Sequence, residues 1–147
     1  MSIETIPHGL HTPDGRQPRV AVVDGNPANA TVTAILVEQF GCKAIKAPSG
    51  EAALALIRRA DGVDLVLIDL AIPDMDGIVA ALLIRAMGRS GTMPIVPLAC
   101  RREEIFQPRS RAAGFSGGVL KPYSPRELYA AMEQALARTP LAAYYDA

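Results

Sequence analysis

Two aspartates and one lysine stand where they could carry out chemistry together. Asp24, Asp69 and Lys121 each follow directly on a short apolar run that is typical of a buried strand. Carboxylates are the hard oxygen ligands that Mg²⁺ prefers, and a lysine neutralises phosphate oxygens, so the set suits a magnesium ion and a phosphoryl group. Asp69 could itself attack phosphorus and form an aspartyl phosphate. Either aspartate alone would more simply end a strand and begin a turn. The repetition after three separate strands favours a shared site.

A regular alternation of strands and helices would position these residues. The runs at 20–23 and 65–68 are continuously apolar, which is typical of strands buried on both faces of a parallel sheet. Asn26 and Pro27 then supply an N-cap and a proline at the first helical position, and 124–127 has the pattern of a capping box. The pattern predicts strands at 20–23, 43–47, 65–68, 95–98 and 119–120, helices that end near Phe40, Arg59 and Met87, a last helix from Pro125, and a helix in 101–113 that either begins near Pro108 or is broken there.

The spacing of apolar residues within the helices predicts which side chains face the core. In the first helix these are Val32, Ile35, Leu36 and Phe40, and in the last they are Leu128, Ala131, Met132, Ala135 and Leu136. Strands that alternate with such helices predict an α/β fold, with a parallel sheet covered on both faces. In these folds ligands bind beyond the carboxyl ends of the strands, which is where the two aspartates and the lysine would meet.

Composition limits the classes of function. The chain has 147 residues, with Lys+Arg 15 and Asp+Glu 15, so it suits one neutral domain without the basic footprint of a nucleic-acid-binding protein. Cys42 and Cys100 are too few for a disulfide framework, fit a reducing compartment and are expected to be small buried hydrophobes. The apolar stretch at 78–84 is too short to cross a membrane, and no secretory signal is visible. We therefore expect a cytoplasmic protein.

The chain divides into three parts. Residues 1–18 contain three prolines and two glycines without sustained periodicity, and they are expected to form a flexible leader. Residues 19–138 form the predicted domain, and residues 139–147 a loose tail. The protein is then either a stand-alone domain or a fragment of a larger kinase or regulator.

Three motifs give the chain a resemblance to a known family. The segment 22–29 (VVDGNPAN), the segment 64–77 (DLVLIDLAIPDMDG) and Lys121-Pro122 resemble, in the same order, motifs of the receiver domains of two-component response regulators. The first segment is especially similar to receivers attached to hybrid histidine kinases. The resemblance covers about 19–137. It implies a flavodoxin-like (βα)5 fold, a doubly wound parallel sheet of five strands in the order 2-1-3-4-5.

The resemblance also implies roles for individual residues. Asp69 would be the phosphoacceptor, and Lys121 would contact the phosphoryl group. Asp24, Asp69 and the backbone carbonyl of Ala71 would bind Mg²⁺. The bond between Lys121 and Pro122 is expected to be cis, although only about 5–6% of X-Pro bonds in folded proteins are.

Three positions depart from the family pattern. Gly25 stands where a second acid is usual, Ala99 where a serine or threonine bonds the phosphoryl oxygen, and Gly118 where an aromatic residue moves during switching. Loss of one carboxylate should weaken Mg²⁺ binding, although water can fill the vacancy. Loss of the hydroxyl removes a hydrogen bond to a charged acceptor, which costs about 1–3 kcal/mol. We therefore expect a degenerate receiver in which phosphorylation of Asp69 is weak or absent and output is by protein–protein binding.

Other interpretations stay open. One is a single-domain response regulator that forms a Mg²⁺-dependent aspartyl phosphate at Asp69. Another is a small phosphotransferase or phosphatase with an aspartate nucleophile, but the haloacid dehalogenase type needs a second acid where this chain has Ala71. We expect no enzyme, a histidine kinase or another signalling protein as partner, no binding to nucleic acid or membrane, and a monomer or weak homodimer.

Overall fold

The computed structural model describes residues 7–59, 62–87 and 93–137, and it confirms the predicted fold. The strands are β1 (Arg19–Val23), β2 (Lys43–Ala47), β3 (Leu65–Asp69), β4 (Ile95–Ala99) and β5 (Val119–Leu120). They form one parallel, flavodoxin-like sheet in the order β2-β1-β3-β4-β5. The helices are α1 (Pro27–Gln39), α2 (Gly50–Arg58), α3 (Gly77–Arg85), α4 (Arg102–Phe106), α5 (Pro108–Ala113) and α6 (Pro125–Ala137).

The central strands are buried on both faces because each face of the sheet contributes to a different hydrophobic core. In β1, Val20 and Val22 pack into one core, while Ala21 and Val23 pack into the other. The first core also holds residues of α1 and α6, and the second holds residues of α2, α3, α4 and α5. This arrangement explains why β1 and β3 lack alternation in the sequence.

Several helix boundaries follow from side-chain caps. The side chain of Asn26 accepts hydrogen bonds from the backbone N–H groups of Ala28 and Asn29, as the sequence predicted. Ser124 and Glu127 form the predicted capping box, in which each side chain accepts a hydrogen bond from the other's backbone N–H. The helical segment is interrupted at Gln107, directly before Pro108, so that α4 ends and α5 begins there. This confirms the predicted interruption.

The predicted core face of α1 is confirmed for Leu36 and Phe40, which pack in the core, and is wrong for Val32 and Ile35. Val32 is 57% exposed and Ile35 is 54% exposed, whereas the helix buries Ala30, Thr33 and Val37 instead. The prediction counted large apolar side chains, but this face of α1 packs through smaller ones, and the Thr33 hydroxyl hydrogen-bonds the Tyr123 hydroxyl. The buried stripe predicted for α6 is confirmed for Leu128, Met132, Ala135 and Leu136.

The expected flexible leader differs from the structure within residues 7–18. Leu10 is buried against the core formed with α1 and α6, and the N–H groups of Gly9 and Leu10 donate to the Phe40 carbonyl at 2.9 and 3.0 Å. The Tyr129 hydroxyl donates to the His8 carbonyl at 3.0 Å. A single apolar residue can hold a segment without any periodicity, so the composition gave no sign of this packing. The predicted tail, 139–147, lies outside the described residues.

The two cysteines have different environments. Cys42 is buried, as expected, and burial raises the pKa of its thiol to about 12. Cys100 is exposed, so the prediction that it is a buried hydrophobe is wrong. Cys100 stands one residue beyond β4, where the chain leaves the sheet. Among the residues that the structure describes, no helix is long and apolar enough to cross a membrane.

The corrected face of α1 predicts a contrast between two substitutions. Val37→Ala should lower the free energy of unfolding by about 2 kcal/mol, because it leaves a cavity at a fully buried position. Ile35→Ala should change it by less than about 0.5 kcal/mol, because Ile35 is more than half exposed. Chemical denaturation of both variants measures the difference. Equal losses would contradict the assigned face.

Candidate functional site

The sheet brings the three predicted site residues together at the carboxyl ends of its strands. Asp24 follows β1, Asp69 is the last residue of β3, and Lys121 follows β5. Asp24 and Asp69 are buried, with 3% and 8% of their surface exposed. Two carboxylates at such depth need a partner, since an isolated buried charge is strongly destabilising.

Lys121 is that partner. Its ammonium group donates a hydrogen bond to Asp69 Oδ2 and lies 3.6 Å from Asp24 Oδ2. The remaining carboxylate oxygens accept from the backbone. Asp24 Oδ1 accepts from the N–H of Asn26 at 2.9 Å, and Asp69 Oδ1 accepts from the N–H of Ala71 at 2.8 Å. The structure therefore places the Ala71 amide against Asp69, while the metal-binding role of its carbonyl stays a prediction.

The two carboxylates hold Lys121 in its charged form. Burial opposes the charge, but the hydrogen bond and charge of Asp69, together with the charge of Asp24, outweigh it and raise the pKa of Lys121. Because the pKa is higher in the folded state, the stability that this group contributes is fully present at neutral pH. It is lost only as the pH rises through the raised pKa, in the alkaline range.

One atom of the site fits a cation. Asp24 Oδ2 is buried and has no hydrogen-bond partner among the described residues. A carboxylate oxygen with free lone pairs at this position suits a hard ion such as Mg²⁺. The described residues contain no cluster of three or more His, Cys, Asp or Glu side chains that could hold a metal, so Asp24 and Asp69 would supply the side-chain ligands, with the Ala71 carbonyl and water completing the shell. The residues present fit Mg²⁺ on these terms.

The space of the missing second acid is occupied by Pro73. A β-carbon placed on Gly25 would lie 2.5 Å from Cδ of Pro73 and 3.1 Å from its Cγ. Contacts under 3.0 Å are not tolerated without a shift of the neighbour, and a proline ring has little freedom to shift. Pro73 belongs to the loop after β3, so the sequence showed the absence of the acid but not what replaces it.

The other two departures from the family pattern, Ala99 and Gly118, have different surroundings. Ala99 ends β4 with a buried methyl group, and its carbonyl accepts from the N–H of Lys121 at 2.8 Å. At Gly118, a β-carbon would lie 2.7 Å from Cδ1 of Ile105 and 3.4 Å from Cγ of Pro97. Ile105 is itself buried, so an isoleucine from α4 fills the space beside Gly118.

The loop after β3 is held by two acids that the sequence reasoning did not single out. Asp74 accepts from the N–H groups of Gly50 and Glu51 at 2.9 and 3.0 Å, and these bonds lower its pKa. Asp76 caps α3 and forms an ion pair of 2.8 Å with Arg109 of α5. The motif DMDG was a signal that could have found Asp76, because an aspartate directly before a helix commonly caps it, whereas the contact of Asp74 with the start of α2 is long-range.

The bond between Lys121 and Pro122 is cis, as expected from the resemblance. The structure thus brings together Asp24, Asp69, Lys121 and the Ala71 amide. Gly25 directly follows Asp24 and the Ala99 carbonyl bonds the backbone of Lys121, whereas Gly118 lies beside Ile105 and Pro97.

Comparisons with known proteins agree with this geometry. Residues 20–133 match the family described as the response regulator receiver domain. The chain is 34% identical over 116 residues to the sensor protein GacS of Pseudomonas syringae pv. syringae, a match that covers 77% of this chain and 13% of that protein. It is 34% identical over 119 residues to the sensory transduction protein RegX3 of Mycobacterium tuberculosis, covering 81% of this chain and 51% of RegX3.

Solved structures show the same fold. A putative response regulator from Chloroflexus aurantiacus superposes with a TM-score of 0.76 and 25% identity, covering 84% of this chain and 100% of that one. The chemotaxis response regulator CheY4 of Vibrio cholerae superposes with a TM-score of 0.75 and 22% identity, covering 81% and 98%. The chain spans only part of the curated relatives that it matches, but the family match extends over most of its own length. It belongs to the response regulator receiver domain family of two-component signalling.

Proposed function

We propose that this chain is a receiver-like signalling domain in which phosphorylation of Asp69 is weak or absent and output is by protein–protein binding. The observation that carries the proposal is that neighbouring residues occupy the space of two side chains that the family pattern has and this chain lacks. Pro73 occupies the place of a second acid beside Gly25, and Ile105 occupies the place of an aromatic residue beside Gly118. A site packed in this way has lost a metal ligand and a moving part together.

Metal binding would be weaker than in a receiver with the full set of acids. Asp24, Asp69 and the carbonyl of Ala71 would hold Mg²⁺, and the ion would supply charge neutralisation for a phosphoryl group. Pro73 prevents the structure from admitting a third carboxylate at position 25 without rearrangement. Lys121 competes with the cation, because its ammonium group already neutralises both carboxylates.

Phosphoryl transfer to Asp69 faces an obstacle at the stage of the product. Oδ2 of Asp69 is paired with Lys121 and Oδ1 accepts from the Ala71 amide, which leaves each oxygen a lone pair with which to attack phosphorus. After attack, the phosphoryl oxygens would lack the hydroxyl donor that Ala99 cannot supply. A missing donor to a charged acceptor costs about 1–3 kcal/mol, which is up to about a hundredfold in lifetime or occupancy.

The usual response to phosphorylation has no moving side chain here. A two-state switch needs an element with two discrete arrangements that the ligand can bias. Gly118 has no side chain to move inward, and Ile105 is buried against it and against the core. Output through binding of a partner to a largely fixed surface is consistent with this packing.

A histidine kinase or another signalling protein is the proposed partner class. The GacS relative of Pseudomonas protegens, 36% identical over 120 residues, is named a sensor histidine kinase. We further propose a cytoplasmic, non-enzymatic domain that is a monomer or weak homodimer and does not bind nucleic acid, in keeping with a net charge of zero.

The second candidate is a receiver that still accepts phosphate on Asp69. It is favoured by one observation, the retention of Asp24, Asp69 and Lys121 in contact at the strand ends. The two candidates differ in one measurable quantity, the amount of aspartyl phosphate that forms with a small phosphodonor and Mg²⁺.

Phosphorylation is measured by intact mass after incubation with acetyl phosphate and Mg²⁺. The wild-type chain should gain little or no phosphoryl mass. Ala99→Ser should increase the signal by about tenfold, because it restores a hydroxyl donor to the phosphoryl group. Ala55→Ser, on the exposed side of α2, is the matched control and should behave as wild type.

Full phosphorylation of the wild-type chain would contradict the proposal. A full phosphoryl gain in the wild-type chain that disappears in Asp69→Asn would replace the degenerate receiver with the phosphorylatable one. Sustained turnover of a phosphomonoester would instead support a phosphatase.

Removing the ammonium group tests the electrostatics of the site. Lys121→Gln should lower the free energy of unfolding by about 3 kcal/mol, because two buried carboxylates lose their counter-charge. Added Mg²⁺ should stabilise this variant more than the wild type, because the cation takes the place of the ammonium group. Denaturation with and without Mg²⁺ measures both effects.

Lys46→Gln is the control for this experiment, since Lys46 is an exposed lysine of β2. It should match the wild type in stability and in its response to Mg²⁺. If Lys121→Gln were as stable as this control, Lys121 would not be the charge that holds the carboxylates.

A further inference from the structure

A cleft lies between α4, α5 and the segment that leads into β5. Its volume is about 680 Å³, within the range of small-molecule sites. Glycines at positions 114, 117 and 118 line it, and nothing lies within 4 Å of a β-carbon built on Gly117. Because Gly117 carries no side chain and has open space beside it, a flat group can approach the backbone there, whereas Ile105 lies against Gly118 and Arg85 lies against Gly114.

The other walls of the cleft are largely apolar. Ile105, Phe106, Phe115 and Leu120 contribute side chains to them. Phe106, the last residue of α4, is 71% exposed, although an aromatic side chain gains by burial. A ligand with an aromatic body would cover this ring and displace water from the apolar walls.

Two arginines supply positive charge at the same cleft. Arg102 and Arg111 both line it, and the guanidinium carbon of Arg102 lies 5.7 Å from the centre of the Phe106 ring. Among the described residues neither arginine forms an ion pair, whereas the neighbouring Arg109 is paired with Asp76. The nearby carboxylate of Glu104 accepts from the N–H of Arg101 instead.

This combination specifies a ligand chemistry. Guanidinium groups match carboxylates in planar, charge-assisted hydrogen bonds, and they also stack on aromatic rings. The apolar walls and the open backbone at Gly117 suit a flat ring system.

We infer that the cleft binds a small aryl carboxylate, with its ring against Phe106 and Gly117 and its carboxylate facing Arg102 and Arg111. The ligand would bind without involving Asp24, Asp69 or Lys121. The inference therefore goes beyond the proposed function, and either can fail without the other.

The test is a titration of ¹⁵N-labelled protein with 2-naphthoate, followed by NMR. Binding should be saturable, with shifts concentrated in 102–120. The neutral analogue 2-naphthalenemethanol should bind about tenfold more weakly, because it cannot form the charge-assisted bonds. The double variant Arg102→Gln/Arg111→Gln should also lose about tenfold in affinity for naphthoate.

Two further variants separate the ring from the charge. Phe106→Ala should weaken naphthoate and the neutral analogue by a similar factor, about threefold or more, because it removes the stacking surface for both. Arg58→Gln, at an exposed arginine of α2, is the matched control and should leave the affinity unchanged. All these positions are exposed, so folding should be retained, and the amide spectra of the variants verify this.

The inference is overturned by absence of saturable binding, by shifts centred elsewhere, or by equal affinity for the acid and the neutral analogue. It is also overturned if an acidic, phenylalanine-containing peptide binds more tightly than naphthoate and displaces it. That result would assign the cleft to a protein partner.

Discussion

The ion pair of Lys121 with two buried carboxylates is the interaction on which this site depends. Asp24 and Asp69 end neighbouring strands, and the sheet brings them close whether or not a cation is present. Their mutual repulsion in a low-dielectric environment would be costly, so the site needs positive charge between them. Lys121 supplies that charge from the far side of β4, and this ties the end of β5 to the centre of the sheet. An ammonium group built into the chain makes the domain less dependent on metal for its stability.

The packing around this ion pair limits both the metal ligands and the side-chain movements available at the site. Pro73 lies against Gly25, and Ile105 lies against Gly118, each where a β-carbon would meet it at less than 3.0 Å. Protein interiors are close-packed, so a position filled by a neighbour is not available to a moving side chain. Gly25 and Gly118 therefore do more than remove functional groups, because Pro73 and Ile105 occupy the space beside them. A side chain restored at position 25 would meet the Pro73 ring, whereas one restored at position 118 would require the terminal methyl group of Ile105 to shift.

Sequence reasoning reached the fold and the acidic site because both depend on local patterns. Continuous apolar runs followed by Asp24, Asp69 and Lys121 are visible along the chain, and parallel topology then brings their ends together. The face of α1 was predicted only in part, because Thr33 is buried through a hydrogen bond to Tyr123, ninety residues away in the chain. The contacts of Pro73 and Ile105 with the two glycines are likewise long-range. No spacing rule encodes them, since they depend on how loops and helices pack after the sheet has formed.

The loop after β3 is joined to α5 by an ion pair, and the sheet is joined to α4 by a packed layer, and the two connections differ in strength. The ion pair of Arg109 with Asp76 has side chains that are 50% and 41% exposed, and such pairs contribute less than about 1 kcal/mol. It cannot by itself fix α5 relative to the loop after β3. The packed layer runs from Ala99 in β4 through the core to Ile105, which touches the position of Gly118 at the edge of the cleft. This layer gives the acidic site and the cleft one route of coupling, through Ile105. The chain itself gives a second route, because Leu120 of the cleft directly precedes Lys121, which is paired with Asp69. A ligand in the cleft would contact both Ile105 and Leu120, so it would lie next to both routes.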